Sequence, residues 1–509
     1  MTAYATDADF VIVGGGTAGW LTAGLIAAQA KHPSERSKAK ICVIESPRIP
    51  PIGVGEGTWP TMRATLNKIG VSEDEFVKFC DATFKQGSKF NGWVTGDEDD
   101  YYYHPFEAPA DFSKINPVNA WIQSGSSDSF SNYVCAQEHV CQKHLSPKRN
   151  NSPEYSGYTN YGYHLNSGKF SAFIRTHCTD KLDVGFISDD VTSIHTNSDE
   201  TIKAVETATG KVISGKVFID CTGFSSILIG KHYKTDFHDV SKTLFVDTAL
   251  AAHVPYDSSE NIPSQTNSTA QSAGWIWDIG LPSRRGVGYV YSSQYIDDAT
   301  AERELNAYIL KTNPDIPDIE FRKIPIRSGY RKEAWVKNCV AIGLANGFLE
   351  PLEASAMIMI EVAANFIADN QTEILSDPDA FRDSFNAQSN QHWHDIIKFL
   401  KLHYVLSQRN EPFWVDNRAP ETIPNDLLQA LETWKTSPPS LENTEESKSL
   451  FPPASFQYIL YGMGFDKPAN TPRLNEAQRT LVSQQQAKIE RLKVQLTKRL
   501  THNREAMII

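Results

Sequence analysis

The sequence predicts an α/β fold with a doubly wound parallel sheet, a second sheet of mixed or antiparallel strands, and a helical C-terminal region. Three observations predict this class. An uncharged run at 10–30 passes through glycines, and later apolar runs at 217–223 and 340–347 also end in glycine. From about residue 386 the spacing of apolar residues becomes helical. Strands that end in glycine turns are typical of α/β sheets that bind ligands at their carboxyl edge.

A strand, a glycine turn and a helix open the chain. Residues 9–13 predict a buried strand, 14–19 (GGGTAG) fit the pattern GxGxxG, and 20–30 predict a helix. Glycines permit a tight turn and let a pyrophosphate approach the free N–H groups at the helix start. A second strand at 40–44 ends at Glu45, where a carboxylate can accept a hydrogen bond from a ribose hydroxyl. The alternative is a glycine turn without a ligand.

The number of such motifs bears on the source of electrons. No second convincing GxGxxG occurs in the sequence, whereas an enzyme that binds both FAD and a nicotinamide in Rossmann halves usually carries two. We therefore expect one bound dinucleotide and electrons supplied from elsewhere.

Composition excludes several partners. The 509 residues carry a formal net charge of −12, which argues against a nucleic-acid partner and against docking on anionic lipid. Seven scattered cysteines show no zinc-type spacing, so we expect no metal site and a reducing, cytoplasmic setting. The run at 10–30 is broken by glycines and follows no basic segment. It therefore predicts neither a membrane span nor a signal peptide.

A second motif combines acids with a helix start. The stretch 347–360 begins as a loop and turns apolar, and a helix is expected from about Ser355 to Ile367. The N–H groups near Ser355 and Ala356 lack intrahelical partners and can hold a small anion. Glu353 directly precedes them, although a carboxylate there can also simply cap its own helix.

Lys85 stands in the stretch DATFKQGSKFNGW at 81–93, among small and aromatic neighbours. One interpretation is an exposed lysine whose stem covers aromatic rings. The other is a lysine held in a dry tunnel to handle a reactive species. The stretch alone favours the first interpretation.

Two regions are expected in the chain. Residues 1–385 would form a dinucleotide-binding and substrate-sheet unit, with a long, partly irregular insertion at 94–160. Residues 386–509 would be mainly helical and cover the substrate. The tail at 475–501 predicts a surface helix that is a candidate contact for a homo-oligomer.

Taken together, the motifs resemble the flavin-dependent halogenase family, the group that contains the tryptophan halogenases, over most of the chain. The matching stretches are GGGTAGW (14–20), IGVGEGTWP (52–60), ATFK (82–85), YHL (163–165), FIDCTGF (218–224), GWIWDI (274–279), GFLEPLE (347–353), HY (403–404) and PFW (412–414). They are more specific together than the glycine motif alone.

The resemblance implies roles for individual residues. It places the catalytic lysine at Lys85, the catalytic glutamate at Glu353, and the halide on the N–H groups of Ser355 and Ala356. The implied FAD contacts are Gly14, Gly16, Ala18, Gly19, Glu45, Ser46, Ile49, Ile52, Val54, Gly57, Val191, Leu344 and Ile360.

Two tryptophans lie in a stretch that resembles the family's WxWxIP signature. The resemblance implies that Trp275 and Trp277 line the region between flavin and substrate. Alternating tryptophans on a strand also commonly pack a core, which is the alternative interpretation.

The sequence departs from the family pattern at two places. The signature's proline is Gly280, and the usual Ser-Thr-Gly after the glutamate is Ala354-Ser355-Ala356. Because alanine avoids positive φ, we expect a differently shaped halide pocket and a relaxed use of halides that includes bromide and iodide.

The resemblance also implies a reaction. A separate flavin reductase supplies reduced FAD, which with O₂ converts halide to hypohalous acid. The acid passes through the protein to Lys85, where it is hydrogen-bonded or forms a haloamine, and the halogen goes to a small, electron-rich aromatic substrate. The main alternative is a flavin-dependent aromatic monooxygenase, which would share the glycine motif and the sheet but insert oxygen.

Overall fold

The computed structural model describes residues 5–29, 39–49, 55–255, 260–314, 316, 319–443, 448–468 and 471–507. The chain divides into two compact units, each made of three stretches. The first unit comprises Met1–Asp81, Leu165–Asp239 and Arg327–Trp393, and the second comprises Ala82–His164, Val240–Ile326 and His394–Ile509. The division at residues 385 and 386 that we expect from the sequence stays a prediction.

The strands are numbered in chain order. They are β1 (Ala5–Val13), β2 (Ile41–Glu45), β3 (Glu56–Gly57), β4 (Thr83–Lys85), β5 (Gly87–Asn91), β6 (Tyr101–Pro105), β7 (Gly162–Leu165), β8 (Gly185–Ser188), β9 (Val191–Thr196), β10 (Ile202–Thr207), β11 (Val212–Asp220), β12 (Phe237–Asp239), β13 (Thr248–Pro255), β14 (Thr266–Gln271), β15 (Gly274–Gly280), β16 (Arg284–Tyr291), β17 (Arg322–Pro325), β18 (Gly329–Arg331), β19 (Trp335–Val336), β20 (Cys339–Ala341) and β21 (Gly347–Phe348).

The α-helices are numbered in the same way. They are α1 (Thr17–Gln29), α2 (Thr61–Ile69), α3 (Glu73–Phe79), α4 (Pro117–Ser124), α5 (Phe130–Val134), α6 (Gln137–Gln142), α7 (Ser167–Lys181), α8 (Asp298–Thr312), α9 (Ser355–Asp369), α10 (Gln371–Ser376), α11 (Asp379–Val405), α12 (Pro412–Asp416), α13 (Asn425–Trp434), α14 (Pro453–Gly462) and α15 (Glu476–Arg499).

A parallel sheet forms the centre of the first unit. Its strands run in the order β20, β11, β1, β2, β8, and each neighbouring pair in this series is parallel. One core joins Val11 and Phe218 of the sheet to Val205 of the antiparallel β9–β10 ladder and to Leu228. Every residue of α1 from Gly19 to Ala27 is buried, as expected for a helix that lacks a polar face.

A largely antiparallel sheet forms the centre of the second unit. Its strand order is β17, β13, β16, β15, β14, β5, β6, and only the β14–β5 pair is parallel among these described strands. Ile276 of β15 packs in one core with Leu305 and Ile309 of α8. Because side chains alternate along a strand, Trp275 and Trp277 face away from α8.

The helical C-terminal region packs on the insertion. The insertion at 94–160 contains β6, α4, α5 and α6 between irregular segments. Leu496 in the last turn of α15 and Leu500 just after it share a core with Val140 of α6 and with Leu145. The predicted α/β class, with a parallel sheet, a mixed sheet and C-terminal helices, is confirmed.

Three chemical features of the described ranges bear on the expectations from the sequence. No helix there has the length and apolar character needed to span a membrane. No group of three His, Cys, Asp or Glu side chains is arranged to hold a metal ion in this part of the chain. All seven cysteines are free thiols and buried.

Candidate active site

The glycines between β1 and α1 leave no room for a side chain at Gly14, Gly15 and Gly19, whereas the space at Gly16 is open. Gly14 has a φ of 111°, and a Cβ there would overlap the Cys221 carbonyl oxygen. A Cβ at Gly19 would overlap the carbonyl oxygen of Gly14, whereas nothing lies within 4 Å of a Cβ placed at Gly16. The open space at Gly16 directly precedes the N-terminus of α1, so these residues fit a pyrophosphate.

Glu45 lies against this turn at the end of β2. Trp20 Nε1 donates to one carboxylate oxygen at 2.9 Å, and an Arg175 guanidinium nitrogen donates to the other at 3.1 Å. A side chain at Gly15 would overlap the Glu45 side chain. Each carboxylate oxygen has a second lone pair, so Glu45 can still accept a hydrogen bond from a ribose hydroxyl. The sequence interpretation identified the acid but missed Trp20 and Arg175, which orient it.

The segment after β2 is tied to the strand β9. The Ser46 hydroxyl donates to Asp190 at 2.6 Å and Arg48 Nε donates to the same carboxylate at 2.8 Å, next to Val191 at the start of β9. Ser46 and Val191 are thus brought together, whereas the Ile49 side chain is 63% exposed. Gly57 is buried at the end of β3. The implied contacts Ile52 and Val54 lie outside the described residues.

Three further implied contacts meet at Gly343. A Cβ at this glycine, which has a φ of 70°, would lie 2.9 Å from Ala18 Cβ and 3.6 Å from Ile360 Cγ1. Leu344 follows it within the short 3₁₀ turn Gly343–Ala345. The structure therefore brings Ala18, Leu344 and Ile360 to one place in the first unit.

The loop before α9 has an unusual backbone. Glu353 and Ala354 have φ of 62° and 55°, in the left-handed region, and Trp59 Nε1 donates to the Glu353 carbonyl oxygen at 2.7 Å. Ser355 and Ala356 are the first residues of α9, so their N–H groups point out of the helix start and can hold an anion. The Glu353 side chain is only 5% exposed.

The structure corrects the expected place of the backbone constraint. We expected it at Ala356, where the family pattern has glycine. Ala356 is instead helical, and the positive φ values lie at Glu353 and Ala354. A helix start accommodates alanine without strain, so the substitution at 356 does not itself distort the loop.

Lys85 lies on β4 in the second unit and is 1% exposed. Its Nζ is 5.3 Å from the centroid of the Phe106 ring. The interpretation of Lys85 as an exposed, snorkelling lysine is therefore wrong. In the β4–β7 ladder Thr83 lies opposite His164 and Lys85 lies opposite Gly162, which places Lys85 and His164 on one face.

Trp275 and Trp277 are both buried on β15. Trp277 lies opposite Gly288 of β16, and a Cβ at Gly288 would overlap its indole ring, so the ring lies flat over the neighbouring strand. The ring centroid of Trp275 is 6.3 Å from that of Trp93. The sequence gives no local signal for Gly288.

The site residues fall into two groups. Glu353, Ser355, Ala356 and the described FAD contacts belong to the first unit, whereas Lys85, Trp275 and Trp277 belong to the second.

The sequence alone did not reveal the role of Trp59, which donates a hydrogen bond to the Glu353 carbonyl oxygen, although this residue stands in a stretch that resembles the family.

The glycine turn, the acid at the end of the second strand and the parallel sheet define the class of α/β proteins that bind a dinucleotide. Within that class, the family model described as Tryptophan halogenase matches residues 9–479. The chain belongs to the tryptophan halogenase family, and it is an enzyme of the flavin-dependent halogenase type. The resemblance inferred from the sequence is confirmed.

Individual relatives agree over almost the whole chain. The crystal structure of a tryptophan halogenase from Shewanella frigidimarina is 42% identical, with a TM-score of 0.93, and the match covers 99% of this chain and 97% of that one. Tar14, a tryptophan C-6 flavin-dependent halogenase (chlorinase) from taromycin biosynthesis, is 29% identical with a TM-score of 0.90, over 99% and 100%. The tryptophan 6-halogenase ThaL of Streptomyces albogriseolus is 32% identical over 86% of this chain and 83% of its own length.

Proposed function

We propose that this enzyme halogenates a small, electron-rich aromatic substrate, with tryptophan or another indole as the first candidate, by passing hypohalous acid to Lys85. Similar proteins are described as tryptophan halogenases, which supports an indole substrate. The observation that carries the proposal is the burial of Lys85 within the ATFK stretch that resembles the family, because burial of an ammonium group is costly and holds the amine away from bulk water.

The first unit would hold FAD. Its pyrophosphate would lie at Gly16 and the N-terminus of α1, its ribose at Glu45, and Ala18, Leu344 and Ile360 would line the bound cofactor. Reduced FAD, delivered by a separate reductase, would supply with O₂ the oxidising power that turns halide into hypohalous acid. The single glycine motif supports an outside source of electrons.

The start of α9 would hold the halide. The N–H groups of Ser355 and Ala356 carry partial positive charge that no intrahelical acceptor uses, and the helix dipole adds to it. Glu353 directly precedes these groups in the loop, and its carboxylate would orient the oxidised halogen or stabilise the cationic arene. Such preorganised electrostatic roles are worth about 2–4 kcal/mol.

Lys85 would receive the halogenating species. A dry surrounding excludes water, which would otherwise dilute or consume hypohalous acid, and the ring of Phe106 lies beside the amine. Whether the amine holds the acid by a hydrogen bond or becomes a haloamine, it controls which substrate atom is attacked.

The second unit would carry the substrate. Trp93 lies between Trp275 of the sheet and two aromatic residues of the C-terminal helices, with ring centroids 5.4 Å from Tyr404 and 5.2 Å from Trp414. This cluster supports the expectation that the region after 386 covers the substrate sheet, and that Trp275 and Trp277 line the path to the substrate.

The test uses the full-length enzyme with FAD, a flavin reductase, halide and L-tryptophan or indole. We expect Lys85→Ala and Glu353→Gln each to lower the product rate at least about 100-fold while FAD binding, measured by fluorescence titration, is unchanged. Lys89→Met removes a nearby, partly exposed lysine and serves as the control that retains activity. Full halogenation by Lys85→Ala would overturn the proposal.

Two further measurements separate the alternatives. Product mass distinguishes replacement of hydrogen by halogen from addition of an oxygen atom, which the monooxygenase alternative requires. Competition between chloride, bromide and iodide tests relaxed halide use, and a strict preference for chloride would remove that part of the proposal.

The setting of the enzyme is also proposed. Seven free, buried thiols support a reducing cytoplasmic compartment. The exposed side of α15, including Val494, is a candidate homo-oligomer contact. A reductase that meets the enzyme only by diffusion would be sufficient as a partner.

A further inference from the structure

His164 is a buried histidine with one ring nitrogen unused. The residue lies on β7 and is 0% exposed. Its Nε2 lies 2.7 Å from Thr266 Oγ1 on β14, whereas Nδ1 has no hydrogen-bond partner among the described residues. A buried polar atom without a partner is costly, so in a native protein it calls for an explanation.

The register of the strands places this histidine on the same face as Lys85. Thr83 lies opposite His164 and Lys85 opposite Gly162, so Lys85 and His164 are diagonal neighbours on one face of the pair. Diagonal neighbours lie about 7–8 Å apart at Cα, which long side chains bridge. Phe84 is on the other face, where it meets the rings of Tyr161 and Tyr163.

The charges around the ring keep it neutral. Burial and the Lys85 ammonium hold the pKa of His164 well below its ordinary value. Thr266 of β14 and Thr83 of β4 are uncharged, so Lys85 is the charged group that acts on the ring in the described part of the chain. Protonation of the lysine and the histidine at the same time is therefore disfavoured, and together they carry one positive charge. When the lysine loses its proton, protonation of the imidazole becomes easier.

We propose that His164 Nδ1 accepts the proton of the Lys85 ammonium, so that a neutral amine meets the halogenating species. The inference rests on the function proposed above and selects its haloamine form. Nε2–H donates to Thr266 Oγ1 in the tautomer that the proposal needs, which leaves the lone pair of Nδ1 free for the proton.

The atoms and electrons balance over the cycle. The Lys85 ammonium gives a proton to Nδ1, and the amine nitrogen attacks the halogen of hypohalous acid. A nitrogen–halogen bond forms, the oxygen–halogen bond breaks, and the departing hydroxide takes a second amine proton to become water. The arene then takes the halogen as a cation, the bond pair stays on nitrogen, the ring proton passes to that nitrogen, and His164 returns its proton to restore the ammonium.

The step has a physical rationale. An ammonium has no lone pair and does not react with hypohalous acid, whereas an amine does. The lowered pKa of His164 makes the proton transfer from the ammonium uphill, and formation of the nitrogen–halogen bond draws it forward. Because Lys85 is buried, its proton otherwise reaches solvent base only slowly.

The decisive variant is His164→Gln, which retains an amide able to reach Thr266 but cannot accept a proton. The assay uses the FAD-loaded, full-length enzyme with a reductase, bromide and L-tryptophan or indole. We expect kcat at pH 7 to fall about 100-fold. We also expect this deficit to shrink about tenfold per pH unit as pH rises, because solvent base must then remove the lysine proton. Release of hypohalous acid, trapped by a halogen-accepting 1,3-diketone, should persist.

Controls separate this inference from the function on which it rests. Thr266→Val removes the hydroxyl that holds Nε2–H in the required tautomer, so kcat should fall a few-fold. The imidazole is retained, so this smaller deficit should be the same at every pH. A His164→Gln enzyme with wild-type kcat, or with a deficit that is the same at every pH, overturns the inference while the Lys85→Ala result stands. Full activity in Lys85→Ala removes both. If His164→Gln does not fold, His164→Asn goes through the same series.

Discussion

At the scale of single residues, the loop before α9 shows how backbone strain is placed next to a binding site. Glu353 and Ala354 are consecutive non-glycine residues with positive φ. Each such residue costs about 1 kcal/mol or more unless its surroundings fix it. The Trp59 indole donates a hydrogen bond to the Glu353 carbonyl oxygen and is one of the groups that fix the loop. By fixing the loop it also fixes the direction in which the N–H groups of Ser355 and Ala356 point.

Trp59→Phe tests this anchor. The variant retains an aromatic ring but loses the N–H donor, a bond worth about 0.5–1.5 kcal/mol, so the loop becomes less ordered before halide binds. We expect the KM for halide to rise about 2–10-fold with FAD affinity unchanged. Trp335→Phe loses the same kind of bond, to the Lys337 carbonyl, and is the matched control. An unchanged halide KM in Trp59→Phe would contradict the anchor role.

At the scale of elements, helices α2 and α9 meet around a buried carboxyl group. Thr65 Oγ1 donates to one Glu361 oxygen at 2.6 Å and Thr61 Oγ1 lies 3.2 Å from the other. Burial, only partly offset by these two hydroxyls, raises the pKa of Glu361 from 4.5 to about 7. On the surface of the same helix pair, Lys68 bonds Asn365 and Asp369.

This carboxyl makes the stability of the first unit depend on pH. Because the folded state binds the proton of Glu361 more tightly than the unfolded state, stability falls as pH rises from about 4.5 to about 7. We expect Glu361→Gln to remove that loss. The difference in unfolding free energy between the variant and the wild type should then grow with pH, in favour of the variant, to roughly 3 kcal/mol. Thermal unfolding at pH 5, 6, 7 and 8 measures it. The exposed Glu373→Gln is the control, and a gap that does not vary with pH would contradict the assignment.

At the scale of the whole molecule, the described C-terminal segment returns to the strand that carries Lys85. Asn503 is 0% exposed, and its Nδ2 donates to the Phe84 carbonyl oxygen at 3.0 Å and lies 3.3 Å from that of Pro263. Its own N–H donates to the His144 carbonyl oxygen at 2.8 Å. Asn503 therefore holds the backbone of β4 in place by a hydrogen bond, within the second unit.

Asn503→Asp replaces the donor with an acceptor of the same shape. A carboxylate would then face the Phe84 and Pro263 carbonyl oxygens, which costs about 2–4 kcal/mol because buried acceptors lose their donor. We expect a melting temperature lower by several degrees and a halogenation rate that falls while FAD binding is retained. The exposed neighbour Thr501→Ala should change neither quantity, and equal behaviour of the two variants would contradict the tether.

The parts of this fold that sequence predicted are local. The expected helix at 355–367 is α9 (Ser355–Asp369), and the tail helix expected at 475–501 is α15 (Glu476–Arg499). The helix after the glycine turn begins at Thr17 rather than Trp20, because the helix start is itself part of the motif. Periodicity and turn chemistry decide such elements within a few residues of sequence.

The remaining features depend on pairs that are distant in sequence. Asn503 and Phe84 are 419 positions apart, and Trp59 and Glu353 are 294 apart. The relation of His164 to Lys85 follows from strand register, which a single sequence does not reveal. The positive φ at Ala354 shows that surrounding structure can override a residue's own preference.

The burial of the seven cysteines has a consequence for an enzyme that makes a strong oxidant. Burial raises the pKa of every one of these thiols, so the easily oxidised thiolate form is scarce as well as shielded. Oxidant that escapes the protein interior would instead meet exposed phenols such as Tyr101 and Tyr158. We expect surface side chains such as these rings to be modified during turnover, so replacing them is a route to a more durable enzyme.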